Sequence, residues 1–165
     1  MALSCEWTRR RPAAEVCVGD VAILTDSTAC IPREMVAQYG IGIAPMTYLF
    51  EDHTYLDDVN ASPGEFYHLL EQARKAPATS PPSPGVLLEA FRDLAQRARA
   101  VLCVTLPARL SSLYQTARVA ADTFRRERPD IEVQVVDSGT VAMAQGFVAL
   151  AAAVPAILYY ISLYF

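Results

Sequence analysis

The chain has 165 residues, 53% of them hydrophobic and 19% charged, with a formal net charge of −4. That is enough apolar material for one domain with a packed core, and it excludes a disordered chain. The acidic balance excludes an extended nucleic-acid surface, which requires a basic face.

Residues 1–19 carry the arginine cluster Arg9-Arg10-Arg11 and lack the apolar run of a secretory signal, so they read as an extension ahead of the first element. "VAILT" (21–25) is a short apolar run read as a buried strand, and "DSTAC" follows as a turn. Pro32 opens a helix and Gly40 closes it. "IGIAPMTYLF" (41–50) is one extended segment in which Pro45 marks an edge or bulge, followed by a polar turn with a short strand around Thr54–Leu56. Ser62, Pro63 and Glu65 form a capping box for a helix whose apolar face is Phe66, Leu69, Leu70 and Ala73. His68 lies roughly opposite that face and reads as a solvated surface histidine.

The next segment, "ARKAPATSPPSPG" (73–85), holds four prolines within eight residues, with Thr79, Ser80 and Ser83 among them, and is read as a stiffened loop. Ser83-Pro84 then starts a helix with the stripe Leu87, Ala90, Phe91, Leu94 and Ala98. "AVLCVTL" (100–106) is a second buried strand, and Ser111 is placed to cap a helix that buries Leu113, Ala117, Ala120, Ala121 and Phe124. "IEVQVV" (131–136) is a third strand, ending in Asp137-Ser138. The uncharged run 146–165 approaches membrane length, but Pro155 interrupts it and no basic flank follows, so a buried helix over 140–153 and an apolar tail over 154–165 are expected. Apolar strands alternating with amphipathic helices predict an α/β domain over 20–153 with a mostly parallel sheet flanked by helices.

In such a sheet the carboxyl ends of all strands share one rim, where ligands bind. Asp26-Ser27, Ser111-Ser112 and Asp137-Ser138 fall there, although such a residue, taken singly, is more often a helix cap than a ligand contact. The four cysteines, at 5, 17, 30 and 103, have no C-x-x-C spacing, and His53 and His68 complete no ligand set. No metal is therefore expected, and reduced thiols in the cytoplasm are the default. There is no G-x-S-x-G elbow, no P-loop and no dinucleotide fingerprint. The polar set is short and mainly hydroxyl, which suits holding a ligand. A small hydrolase or transferase with Ser111 or Ser27 as nucleophile is the alternative from another class, and a lobe without a ligand of its own is a third.

Five stretches in order resemble the DegV family: "ILTDSTACIP", "IAPMTYLFEDHTYLDD", "TSPPSPG", "LPARLSSLYQTA" and "VQVVDSGTVAMAQG". The resemblance implies the N-terminal α/β lobe of a bacterial fatty-acid-binding protein. It would be no enzyme and have no cofactor, holding a long-chain fatty acid as ligand and presenting it to a separate fatty-acid kinase. Carried over by motif, Thr79 and Ser111 bind the carboxyl group and Ser80 and Ser112 flank them. Ser112-Leu113 stands for the family's Gly-Thr, Pro81 for its Gln and Cys30 for a common Asp. The family's second lobe is not expected in this sequence. The pocket would then be half open, with an exposed inter-lobe face through which the chain self-associates, and the atypical tail would reflect truncation or a change of reading frame.

Overall fold

A computed structural model describes residues 21–50, 53–57, 63–73 and 75–164. In chain order it contains β1 (Val21–Asp26), α1 (Arg33–Tyr39), β2 (Gly42–Ala44), β3 (Thr47–Phe50), β4 (His53–Leu56), α2 (Pro63–Gln72), β5 (Ala78–Ser80), α3 (Pro84–Leu94), β6 (Ala100–Thr105), α4 (Leu113–Glu127), β7 (Glu132–Asp137) and α5 (Met143–Tyr164). Four strands form a wholly parallel sheet in the order β2-β1-β6-β7. The register places Ile23 beside Leu102 and Cys103 beside Val135.

Helices cover both faces, which is why β1 and β6 read as unbroken apolar runs. Side chains alternate across the pleat. Ala22 and Leu24 join Leu87, Phe91, Val101, Cys103, Ala117, Phe124 and Val133 in the larger core, under α3 and α4. Ile23 faces the other way and packs with Ile41, Val104, Ala149, Leu150 and Ala153, under α1 and α5. The stripes expected on α3 and α4 are buried as read, with Ala98 half-buried. Ser83 accepts from the Val86 N–H at the start of α3, and Gly40 ends α1 with φ of 61°.

The extended segment 41–50 divides into two strands that belong to different sheets. Proline has no N–H for a ladder, so pairing stops at Pro45. Met46 turns away, its N–H bonded to Ser27 Oγ at 3.0 Å and its carbonyl accepting from Asp57 N at 2.8 Å. Beyond it, β4-β3-β5 make a small antiparallel sheet. One face is closed by α2, where Phe66, Leu69 and Ala73 pack on Tyr48 and Phe50, and Tyr48 meets Phe66 edge-on at 4.8 Å.

Three further expectations change. The proline-rich segment contains a strand, β5, because Ala78–Ser80 has β3 to pair with. Leu70, assigned to the buried face of α2, is 38% exposed and is not among the residues packed on Tyr48 and Phe50. The last helix runs through Pro155 to Tyr164 instead of ending near Ala153. An interior proline removes one hydrogen bond and strains the turn before it, but no glycine or capping residue follows here to stop the chain. Among the residues whose side chains are described, no helix is long and apolar enough to cross a membrane. The extension 1–19, Cys5, Cys17 and the Ser62 cap lie outside the described residues.

Candidate functional site

β1, β6 and β7 end side by side because they are parallel neighbours, and each runs into a helix start. Their last residues therefore meet at one rim. Asp26 closes β1 and is 1% exposed. Its carboxylate accepts from Thr28 N at 3.0 Å, from the Thr28 hydroxyl and from Gln145 Nε2 at 2.7 Å. Burial pushes this carboxyl above the ordinary range, and those hydrogen bonds, led by the Thr28 hydroxyl, work in the opposite direction. The residue before it, Thr25, donates to the Val104 carbonyl at 2.8 Å and accepts from Gln145 Nε2 at 3.0 Å. Thr105 closes β6 in the same manner, buried and bonded to the Leu106 and Val136 carbonyls.

Asp137 closes β7 in an exposed position. It accepts from Ala108 N at 3.0 Å and Gly139 N at 2.8 Å, and those two N–H groups hold it below the usual carboxylate range. Ser138 accepts from Thr140 N at 3.2 Å and donates to the Thr140 carbonyl at 3.0 Å. The structure thus uses all four outer rim residues, Asp26, Ser27, Asp137 and Ser138, to pin turns of the chain itself.

Ser111 is half-buried, and its hydroxyl accepts from Leu113 N at 3.2 Å. This is a local turn one residue ahead of α4, not the cap position itself, which Ser112 occupies without a side-chain cap bond. Ser112 is exposed. Thr79 and Ser80 lie on β5, exposed, opposite Tyr48 and Thr47 respectively. The Ser80 hydroxyl donates to the Pro81 carbonyl at 3.3 Å. Among the described residues the hydroxyls of Thr79 and Ser112 have no hydrogen-bond partner.

β5 leads into α3 and the Ser111 turn leads into α4. The two helices pack against each other, and their first buried residues, Leu87 and Leu113, line one crevice together with Leu24, Thr25, Asp26, Ala44, Cys103, Val104 and Thr105. The starts of α3 and α4 therefore sit at the same end of the domain. The crevice has no room for a water molecule. Its buried Cys103 thiol is pushed up by burial first and by Asp26 second, so it is not a nucleophile. His68 stands exposed on α2, 3.0 Å from Gln72 and 4.0 Å from Glu71. Among the described residues no cluster suits a metal ion.

Sequence reasoning missed Thr25, Thr105 and above all Gln145, which is 0% exposed. The available signal was a lone amide in an otherwise apolar, small-residue helix. It missed likewise the closeness of Gly146, where a Cβ would come within 2.5 Å of the Ala29 carbonyl. α5 can approach the β1 turn only because that position has no side chain.

The DegV family model, described as an uncharacterised protein family, matches residues 20–156. The chain belongs to the DegV family. A DegV domain-containing protein of Streptomyces coelicolor is 39% identical over 134 residues, covering 81% of this chain and 46% of that protein. The crystal structure of DegV, a fatty acid binding protein from Bacillus subtilis, superposes with a TM-score of 0.75 at 32% identity, over 82% of this chain and 46% of that one. A stearic acid-binding protein from Eubacterium ventriosum gives a TM-score of 0.73 at 26% identity, over 77% and 44%. The chain thus spans a little under half the length of these DegV relatives.

Proposed function

We propose that this DegV-family chain binds a long-chain fatty acid by its carboxyl group. Thr79 and Ser111 donate to the carboxylate, Ser80 and Ser112 flank them, and the Asp26, Ser27, Asp137 and Ser138 turns fix their positions. The observation that carries this reading is that α3 and α4, which follow the Thr79 and Ser111 segments in the chain, begin beside one apolar crevice. Family membership and likeness to two fatty-acid-binding structures support it. Since the crevice is closed, the acyl tail runs over exposed apolar side chains, where each buried CH₂ contributes about 0.8 kcal/mol. Leu110, Val141 and Phe147, between 45% and 65% exposed, stand in the rim loops and the first turns of α5. A second copy of the chain covering those residues would shield the tail further.

In the fuller form of the proposal the protein is not itself an enzyme. It works in the cytoplasm and offers the bound carboxyl group to a partner fatty-acid kinase. The Ser111 and Ser27 hydroxyls already accept main-chain N–H groups, which favours a holding role over a nucleophilic one. Native mass spectrometry after gentle extraction should find a long-chain acid bound. A hydrogen bond to a charged group contributes about 1.5–3 kcal/mol, so Ser111→Ala and Thr79→Ala should each weaken palmitate binding by roughly tenfold to a hundredfold. A folded, lipid-free protein whose palmitate affinity ignores both substitutions would refute the site. Labelling of Ser111 or Ser27 by a fluorophosphonate would point to the hydrolase instead.

A further inference from the structure

Gln145 lies on α5 and is not among the residues assigned to ligand binding, yet it is one of the most buried polar side chains of the domain. Its amide nitrogen donates to Thr25 Oγ1 and Asp26 Oδ2, while its carbonyl oxygen is buried without a partner. The orientation is forced. Thr25 has already given its proton to the Val104 carbonyl, and Asp26 Oδ2 is a carboxylate oxygen, so a flipped amide would set acceptor against acceptor. An apolar side chain of the same size would avoid the orphaned oxygen but leave Asp26 Oδ2 buried without a partner, so the amide serves the carboxylate at the expense of its own oxygen.

What this achieves follows from where Asp26 stands. On one side it lies at the end of β1, beside the end of β6, where Leu106 opens the turn that leads to Ser111. On the other it holds the Thr28 N–H, next to Ser27, whose hydroxyl fixes Met46 at the foot of β3, the strand that pairs with Thr79. A single carboxylate therefore stands at the root of the turns that lead to both hydroxyl-bearing segments, and Gln145 is the side chain that satisfies its second oxygen. We propose that Gln145 is a positioning residue for carboxyl recognition, acting through Asp26 on the turns that lead to Thr79 and Ser111. This rests on the fatty-acid reading given above.

The test compares palmitic acid with 1-hexadecanol, which has the same chain and lacks the carboxylate. Wild type should prefer the acid. In Gln145→Met the acid affinity should fall about tenfold while the alcohol affinity holds, so the preference collapses. Thr25→Val, which removes the other acceptor of the same amide but leaves Asp26 bonded, should lower thermal stability and keep the preference. If Gln145→Met does not fold, Gln145→Asn, whose shorter amide does not reach Asp26 Oδ2, is read the same way. Faster hydrogen exchange at the Thr28 amide in the variant would support the route through Asp26. Equal losses for acid and alcohol, or an unchanged preference, would overturn the inference and leave fatty-acid binding standing. No preference for the acid in wild type would overturn both.

Discussion

The two sheets hold together by opposite means. The parallel sheet is sandwiched, with a core on each face and Phe91 and Phe124 fully buried at a ring distance of 6.1 Å. The antiparallel sheet is covered on one face only, by an aromatic cluster around Tyr48 and Phe50, and Leu49 on the other face is 46% exposed. The first sheet supplies stability. The second holds Thr79 with few contacts, as suits a segment that adjusts to a ligand.

Substitutions on the two sheets should separate these roles most strongly. Phe91→Ala empties a fully buried site and should destabilise the whole domain by about 3–5 kcal/mol in denaturant titration. Phe66→Ala, in the half-buried cluster under α2, should leave the main unfolding transition nearly in place. Its effect should appear as faster hydrogen exchange in β3 and β5. A loss of global stability from Phe66→Ala as large as from Phe91→Ala would show that the two sheets fold as one unit.

The same contrast explains what could be read beforehand. On α4 the residues Leu113, Ala117, Ala120, Ala121 and Phe124 repeat at helical spacing because a sheet lies against them, and the pattern alone identifies the buried face. β5 has no such pattern. Three residues between prolines become a strand only because β3 passes alongside, and pairing partners distant in the chain leave no local trace. Pro45 did signal an interruption, but whether the chain bulges or changes sheet depends on the Ser27 hydroxyl that meets Met46. Gln145 is the extreme case. Its partners Thr25 and Asp26 are 120 and 119 residues away, and one polar residue does not disturb an apolar helix pattern. The rim carboxylates were legible as a set, whereas their division into one buried and one exposed residue was not.

That division gives the next prediction. Asp26 has a raised folded-state pKa, so between the ordinary value and the raised one the native state binds more protons than the unfolded chain. Its contribution therefore makes stability fall as pH rises through the raised value. Asp137 is lowered, so its contribution is present above the ordinary value and is lost as pH falls through the lowered one. Asp26→Asn should remove the downward slope on the less acidic side, and Asp137→Asn should weaken the loss on the more acidic side. Thermal melts across mildly to strongly acidic pH would check this. Identical pH profiles for the two variants would contradict the burial difference.

The smallest effect concerns the turn between the two sheets' attachment points. Cys30 caps the short turn after β1 with φ of 52°, in the left-handed region where a side chain crowds the backbone. That conformation destabilises a non-glycine residue by about 1–2 kcal/mol. The exposed thiol makes one weak contact, 3.3 Å to the Thr28 carbonyl, so little is lost with it. Glycine relieves the crowding but adds freedom to the unfolded chain, which offsets about 0.5–1 kcal/mol. Cys30→Gly should therefore stabilise the parallel sheet by about 0.5–1 kcal/mol in denaturant titration. Exchange rates in β3 and β5 should stay as they were, since the substitution touches neither the aromatic cluster nor the Ser27–Met46 bond. A destabilised Cys30→Gly protein would mean that the thiol holds this turn in a way its single contact does not account for.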